Sequence, residues 1–220
     1  KPQIRAFHMS WFAFFLCFFA WFGIAPLMAV VRDEFHLTKE QIAWSIIASV
    51  SITILARLCV GWICDRWGPR ITYTWLLIVG SIPVICIGLS YDAQSFIFFR
   101  LLIGIIGASF VVTQVHTSLM FAPNIVGTAN ATSAGWGNLG GGVTQWVMPL
   151  LFGFLFTTVG FSAGASWRIA MVAAGLVCFM TGVAYYFLTQ DTPNGNCHQR
   201  KKHSEPLQSG VVRQKFWVAL

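Results

Sequence analysis

Two arginines stand where arginine is costly. Arg57 lies inside the apolar run 41–63 and Arg100 inside the run 95–121. Arg57 is eight residues before Asp65, so at about 1.5 Å per helical residue it sits about 12 Å from that polar turn. Arginine at the centre of a membrane helix costs at least about 2.5–3.5 kcal/mol on insertion scales. The seven acids, Asp33, Glu34, Glu40, Asp65, Asp92, Asp191 and Glu205, all lie outside such runs. Neither arginine therefore has an intramembrane carboxylate in this chain. Snorkelling or bonding to backbone carbonyls suits Arg100, which is about six residues into its helix. Arg57 is too far from the interface for comfortable snorkelling. Its planar fork fits a planar oxyanion better than the point charge of lysine would.

A second group is AGWGNLGGG, residues 134–142, with five glycines around one asparagine. A glycine inside a helix is worse than alanine by about 1 kcal/mol in water. In lipid the balance differs, because close backbone contact through small residues is a main source of helix packing. Ala134, Gly137, Gly141 and Gln145 fall on one helical stripe, and Asn138, Gly142 and Gln145 on its neighbour. A smooth glycine face can then lie against another helix with Asn138 beside it.

Membrane-length helices must position these groups. The chain is 56% hydrophobic and 10% charged, against about 25% charged in soluble domains. Six runs can cross the hydrocarbon: about 9–31, 41–63, 71–89, 95–121, 129–156 and 167–188. Barrel strands are shorter and alternate in polarity, so a β-barrel is excluded. The first run exceeds the h-region of a signal peptide, and a start at Lys1 reads as a fragment or a processed chain. The net charge of +7 sits between runs and in the tail, which sets orientation and excludes nucleic acid as a partner. Arg66 and Arg70 follow the second run, and Arg200, Lys201 and Lys202 follow the sixth. The positive-inside rule then makes both termini cytoplasmic. The expected organisation is a six-helix bundle at 1–188 and a polar cytoplasmic linker or tail at 189–220. The six cysteines show no zinc spacing, so no metal, cofactor or disulfide is expected. The sequon at Asn130 falls at the cytoplasmic end of its helix and is not expected to be glycosylated. His116 reads as a structural histidine rather than a proton relay. No carboxylate pair or nucleophile elbow suggests an enzyme.

Residues Gly61, Asp65, Arg66, Gly68 and Arg70 stand in GWICDRWGPR. This resembles the G-x-x-x-D-R-x-G-x-R loop between the second and third helices of the major facilitator superfamily. Arg100, Gly104 and Gly107 resemble that superfamily's fourth-helix R-x-x-x-G-x-x-G pattern. AGWGNLGGG is narrower and resembles the nitrate signature of the nitrate/nitrite porter family. FHMSWFAFFLCFFA, ARLCVGWICDRWGPR and QDTPNGN are similar to the high-affinity nitrate transporters of plants, algae and fungi. The resemblance covers about residues 7–196. It implies an all-α membrane protein, the amino-terminal six-helix half of a major facilitator fold. It implies a secondary active transporter of nitrate, coupled to protons and working by alternating access once a second six-helix half completes it. Carriage of nitrite or another small anion is the alternative, as is a non-transporting half acting as a regulator or assembly partner, or one joined by an accessory membrane protein. The family's substrate arginine falls on Arg57, its stacking phenylalanine on Phe110 and its signature asparagine on Asn138. Phe15 is the choice for the first-helix aromatic over Phe18 and Phe19. The signature glycines fall on Gly135, Gly137, Gly140 and Gly141. The implied place is the lipid bilayer of the plasma membrane, crossed several times.

Overall fold

In lipid every backbone N–H and C=O must find its partner within the segment, so long apolar runs become helices. The computed structural model describes residues 2–196. Six helical stretches there are long and apolar enough to cross a membrane. The first is α1 (Pro2–Phe22), a 3-10 turn at Ala25–Leu27 and α2 (Met28–Phe35). Pro26 lacks the N–H that a continuous ladder needs, which accounts for the break. The second is α3 (Lys39–Trp67), started by a capping box between Thr38 and Gln41. Gly68, at φ 89°, turns the chain directly into α4 (Pro69–Cys86). The fourth stretch is α5 (Ala93–Ile103), a 3-10 turn at Gly104–Ala108 and α6 (Ser109–Met120). Asp92 caps α5 by accepting from the Ser95 N–H at 2.8 Å. The Ser95 hydroxyl, and then its N–H, hold the Asp92 carboxyl below its ordinary value. The fifth and sixth stretches are α7 (Val126–Gly153), ending in a π-helical turn, and α8 (Ala163–Leu188).

The main packing pairs are α1 with α7, α4 with α8, and α3 with α5 and the 3-10 turn after it. The first, third and fourth spans are half buried or more, whereas the second and fifth are only 22% buried. Helices α3 and α7 therefore carry the open faces. Ile54, Leu58, Trp146 and Leu150 stand out from them into what must be lipid or another protein.

Both ends of the bundle are tied by polar contacts. At one end Glu34 accepts from Arg168 Nη1 and from Trp167 Nε1, each at 2.6 Å. Arg168 also donates to the carbonyls of Gly88 and Gly164, and its guanidinium lies 4.5 Å from the Trp167 ring centroid. Arg168 is thus a third arginine at an apolar run, beside Arg57 and Arg100. It is matched to an acid from outside the run. At the other end His116 Nε2 donates to the Gln190 carbonyl at 2.8 Å. Its Nδ1 meets the hydroxyls of Ser10 and Tyr185. Both ring nitrogens are engaged, as a structural histidine requires.

Beyond the end of α8 at Leu188 the chain packs on the same end of the bundle. Residues 189–196 fold back as a tight turn, with Thr192 and Gly195 exchanging backbone hydrogen bonds. Asp191 is 1% exposed and accepts from the Arg70 N–H at 2.9 Å. A Cβ on Gly68 would lie 2.7 Å from that carboxylate. The acid meets the positive end of α4, which repays its burial. Residues 197–220, with Cys197, lie outside the described residues. Asp191→Ala removes a charged acceptor, a loss of about 1.5–3 kcal/mol. The expected result is a lower melting temperature and faster proteolysis between residues 65 and 70. Unchanged cleavage would show that the turn stands without Asp191.

Candidate substrate-binding site

The site begins with a close crossing of two helices. A Cβ on Gly104 would lie 2.1 Å from the Ser49 carbonyl oxygen, so only glycine lets α3 come this near. Thr53 Oγ1 then donates to the Gly104 carbonyl at 2.9 Å. Arg57 follows Thr53 by one turn of α3, and Phe110 follows Gly104 by six residues. The crossing brings them together: the Arg57 guanidinium carbon is 5.9 Å from the Phe110 ring centroid. Phe110 is half-buried and tilts against Phe14, with centroids 5.7 Å apart.

Arg57 lies deep along the apolar run of α3, yet its side chain is exposed on the surface of the six-helix bundle. The cause is the open face of α3, whose span is only 22% buried. Among the described residues Arg57 has no ion-pair partner. Arg100 is the reverse case. It is 6% exposed and donates from Nη1 to the Trp21 carbonyl at 3.2 Å. Its Nη1 bonds the backbone of α1 while its Nε is buried without a partner among the described residues, and Gly107 on the same stretch packs against Trp21 and Thr53.

Asn138 is exposed on α7, next to Gly137. Phe15 does not reach Phe110. Its ring stacks on Phe12 and Phe19, with centroids 6.4 Å away in both cases. Phe14, one residue and about 100° round the helix, makes the contact instead. Nothing in the sequence distinguished neighbours in so uniform a run of phenylalanines. The signature glycines also divide. Gly137 receives the Phe14 ring and Gly140 the Phe15 carbonyl, while Gly141 lies 3.2 Å from the Phe22 ring, measured to an added Cβ. The packing expected of Gly135 is corrected, since a Cβ there meets nothing within 4 Å. Its side of α7 faces away from α1.

In the loop after α3, Asp65 and Arg66 are exposed, and Arg66 stands 5.7 Å over the Trp62 ring. Arg70 donates to the Tyr186 carbonyl at 2.8 Å and lies 4.2 Å from that residue's ring centroid. Gly61 has only ordinary contact with Val111. Arg70 thus ties the start of α4 to the end of α8, while Gly61 lies one turn beyond Arg57 on α3.

A planar cation standing on an aromatic ring and open on one side can hold a small planar anion by charge and two parallel hydrogen bonds. The Asn138 amide on α7 is a further donor type, with no contact to Arg57 or Phe110 among the described residues. Fold and site together define a helical membrane protein with a cation presented on the open face of a half-bundle.

The chain belongs to the Major Facilitator Superfamily, whose family model matches residues 10–220. It is a six-helix half of that fold, and the superfamily is one of transporters rather than enzymes. The chain is 38% identical to a nitrate/nitrite transporter of Nostoc punctiforme, over 100% of the chain and 43% of that protein. It is 37% identical to a high affinity nitrate transporter of Arabidopsis thaliana, over 99% of the chain and 45% of that protein. A nitrate transporter of Chlamydomonas reinhardtii is 34% identical over 95% of the chain. The chain thus spans less than half the length of these curated relatives. Among solved structures, an inward-facing bacterial homolog of the human lysosomal transporter Spinster superposes with a TM-score of 0.71 at 17% identity, over 100% of this chain and 48% of that one. That likeness shows the fold alone.

Proposed function

We propose that this chain is the half of a nitrate transporter that supplies Arg57, Phe110 and Asn138 to the substrate. The observation that carries the reading is Arg57, exposed over an aromatic ring with no acid paired to it among the described residues. The names of the relatives support nitrate, and one of them includes nitrite, which offers the same planar oxyanion with one oxygen fewer. A second six-helix half supplies the remaining contacts, and rocking of the halves about a midplane site moves the anion across.

Inward transport of an anion works against a negative-inside potential by about 2.3 kcal/mol per charge per 100 mV. More than one proton per nitrate reverses that balance, so the proposed cycle is proton symport across the plasma membrane. Both ends of the chain are then cytoplasmic, with Arg66 and Arg70 on the same side. The test is uptake into proteoliposomes containing the chain completed by a second half. Nitrate should enter against its gradient when the outside is acidic and carry positive charge inward. Uptake that ignores the proton gradient, or that carries negative charge inward, overturns symport.

A further inference from the structure

We propose that Gly137 and Phe14 are positioning residues for the anion site, with Gly137 seating the Phe14 ring and Phe14 holding Phe110 under Arg57. The proposal rests on the reading of Arg57 and Phe110 as the substrate site.

Three contacts in series carry it. A Cβ on Gly137 would lie 1.9 Å from Cδ1, 2.5 Å from Cγ and 2.7 Å from Cε1 of Phe14. The ring therefore occupies the space where any other residue's side chain would begin. Phe14 is fully buried and has no empty side to retreat into. Its aromatic neighbours include Phe18, edge-on with centroids 4.5 Å apart, and Phe110 at 5.7 Å. Phe18 and Phe110 are both half-buried, and Phe110 is the one with Arg57 5.9 Å from its centroid.

A methyl group added at Gly137 must push the Phe14 ring. Close-packed interiors transmit such a push rather than absorb it. Phe18 and Phe110 are the half-buried rings that can yield, and the share that reaches Phe110 moves the ring beside Arg57. Attraction between a cation and an aromatic face holds only within about 6 Å of the centroid. The Arg57–Phe110 pair stands at that limit, so a small tilt of Phe110 is felt at the guanidinium.

Gly140 supplies the contrast. It lies about one turn further along α7 and faces the same helix α1. A Cβ there would lie 2.0 Å from the Phe15 carbonyl oxygen. The steric burden is similar, but it falls on backbone and leads to no ring beneath Arg57. If the signature glycines serve helix packing alone, alanine at the two positions behaves alike. If Gly137 seats Phe14, the two differ in affinity.

The experiment is nitrate binding and initial-rate uptake with the chain completed by its second half. The variants are Gly137→Ala, Phe14→Ala, their double variant, Gly140→Ala alone and with Phe14→Ala, and Arg57→Gln. Gly137→Ala should raise the nitrate Kd by at least about fivefold, with KM rising in step. Phe14→Ala, which removes the backing of Phe110, should also raise Kd. The double variant should bind no more weakly than Phe14→Ala alone, because the methyl enters the space the ring has left. Such non-additivity is the mark of residues in contact. Gly140→Ala should lower folded yield and turnover, leave the Kd of the folded protein within about twofold, and gain nothing from Phe14→Ala. Should Gly137→Ala fail to accumulate, it must accumulate in the Phe14→Ala background with that variant's Kd. Failure there too overturns the proposal. Equal Kd changes for the two glycine variants, or additive penalties from Gly137 and Phe14, also overturn it while leaving Arg57 in place. Nitrate binding retained by Arg57→Gln removes the site reading and the proposal with it.

Discussion

Arg57→Gln is expected to abolish nitrate binding, and Arg57→Lys to weaken it at least about tenfold, or about 1.4 kcal/mol. The lysine variant keeps the charge but not the fork that offers two parallel N–H groups to one oxyanion. It also loses the flat cation that lies on Phe110, where the guanidinium carbon is 5.9 Å from the ring centroid. The glutamine variant has no countercharge, and a desolvated anion without one is costly at any depth in the membrane. Phe110→Ala and Asn138→Ala should weaken binding less than Arg57→Gln, because neither residue supplies charge. Arg66→Gln is the control. Arg66 is exposed over Trp62 at the end of α3, so its loss can slow transport yet should leave nitrate affinity nearly unchanged. Equilibrium titration in nanodiscs separates these cases. Parental affinity in Arg57→Gln would make the arginine structural and move the site elsewhere.

The spans were legible because a bilayer imposes length and composition on each segment separately. The run expected at 95–121 became α5 to α6, Ala93–Met120, and the run at 167–188 became α8, Ala163–Leu188. Lateral relations were not legible, because they depend on which side of a helix another helix occupies. Phe14 and Phe15 are alike as letters. Only the packing of α1 on α6 gives one to Phe110 and turns the other toward Phe12 and Phe19. Arg57 reads as buried when depth is taken from distance along the helix, yet its side of α3 is open. The polar segment after residue 188 reads as solvated by composition. One acid changes that: Asp191 finds the N-terminus of α4 and is buried there. Arg168 passed unnoticed because Glu34, its partner, is 134 positions away in sequence.

The same geometry grades the glycines of 134–142, and the largest effect is expected at Gly140. Its Cβ position lies 2.0 Å from the Phe15 carbonyl oxygen and 3.0 Å from the Phe19 nitrogen. Backbone cannot rotate away as a side chain can. For Gly140→Ala, α1 and α7 must separate by on the order of 1 Å along a close-packed seam. Overpacking of this kind costs about 1–3 kcal/mol, and a leucine costs more. Folded yield should fall severalfold for alanine and close to zero for leucine. Gly141 meets only the edge of the Phe22 ring at 3.2 Å, and Phe22 is exposed enough to swing aside. Gly141→Ala should therefore be mild. Gly135 and Gly142 meet nothing within 4 Å, and alanine at either gains about 1 kcal/mol of helix propensity. Size-exclusion yield and melting temperature of the four alanine variants, made in the complete two-half protein, give the order. An equal loss at Gly135 or Gly142 would mean that the second half presses on that side of α7. An unharmed Gly140→Ala would mean that α1 and α7 do not meet as closely as the seam between them requires.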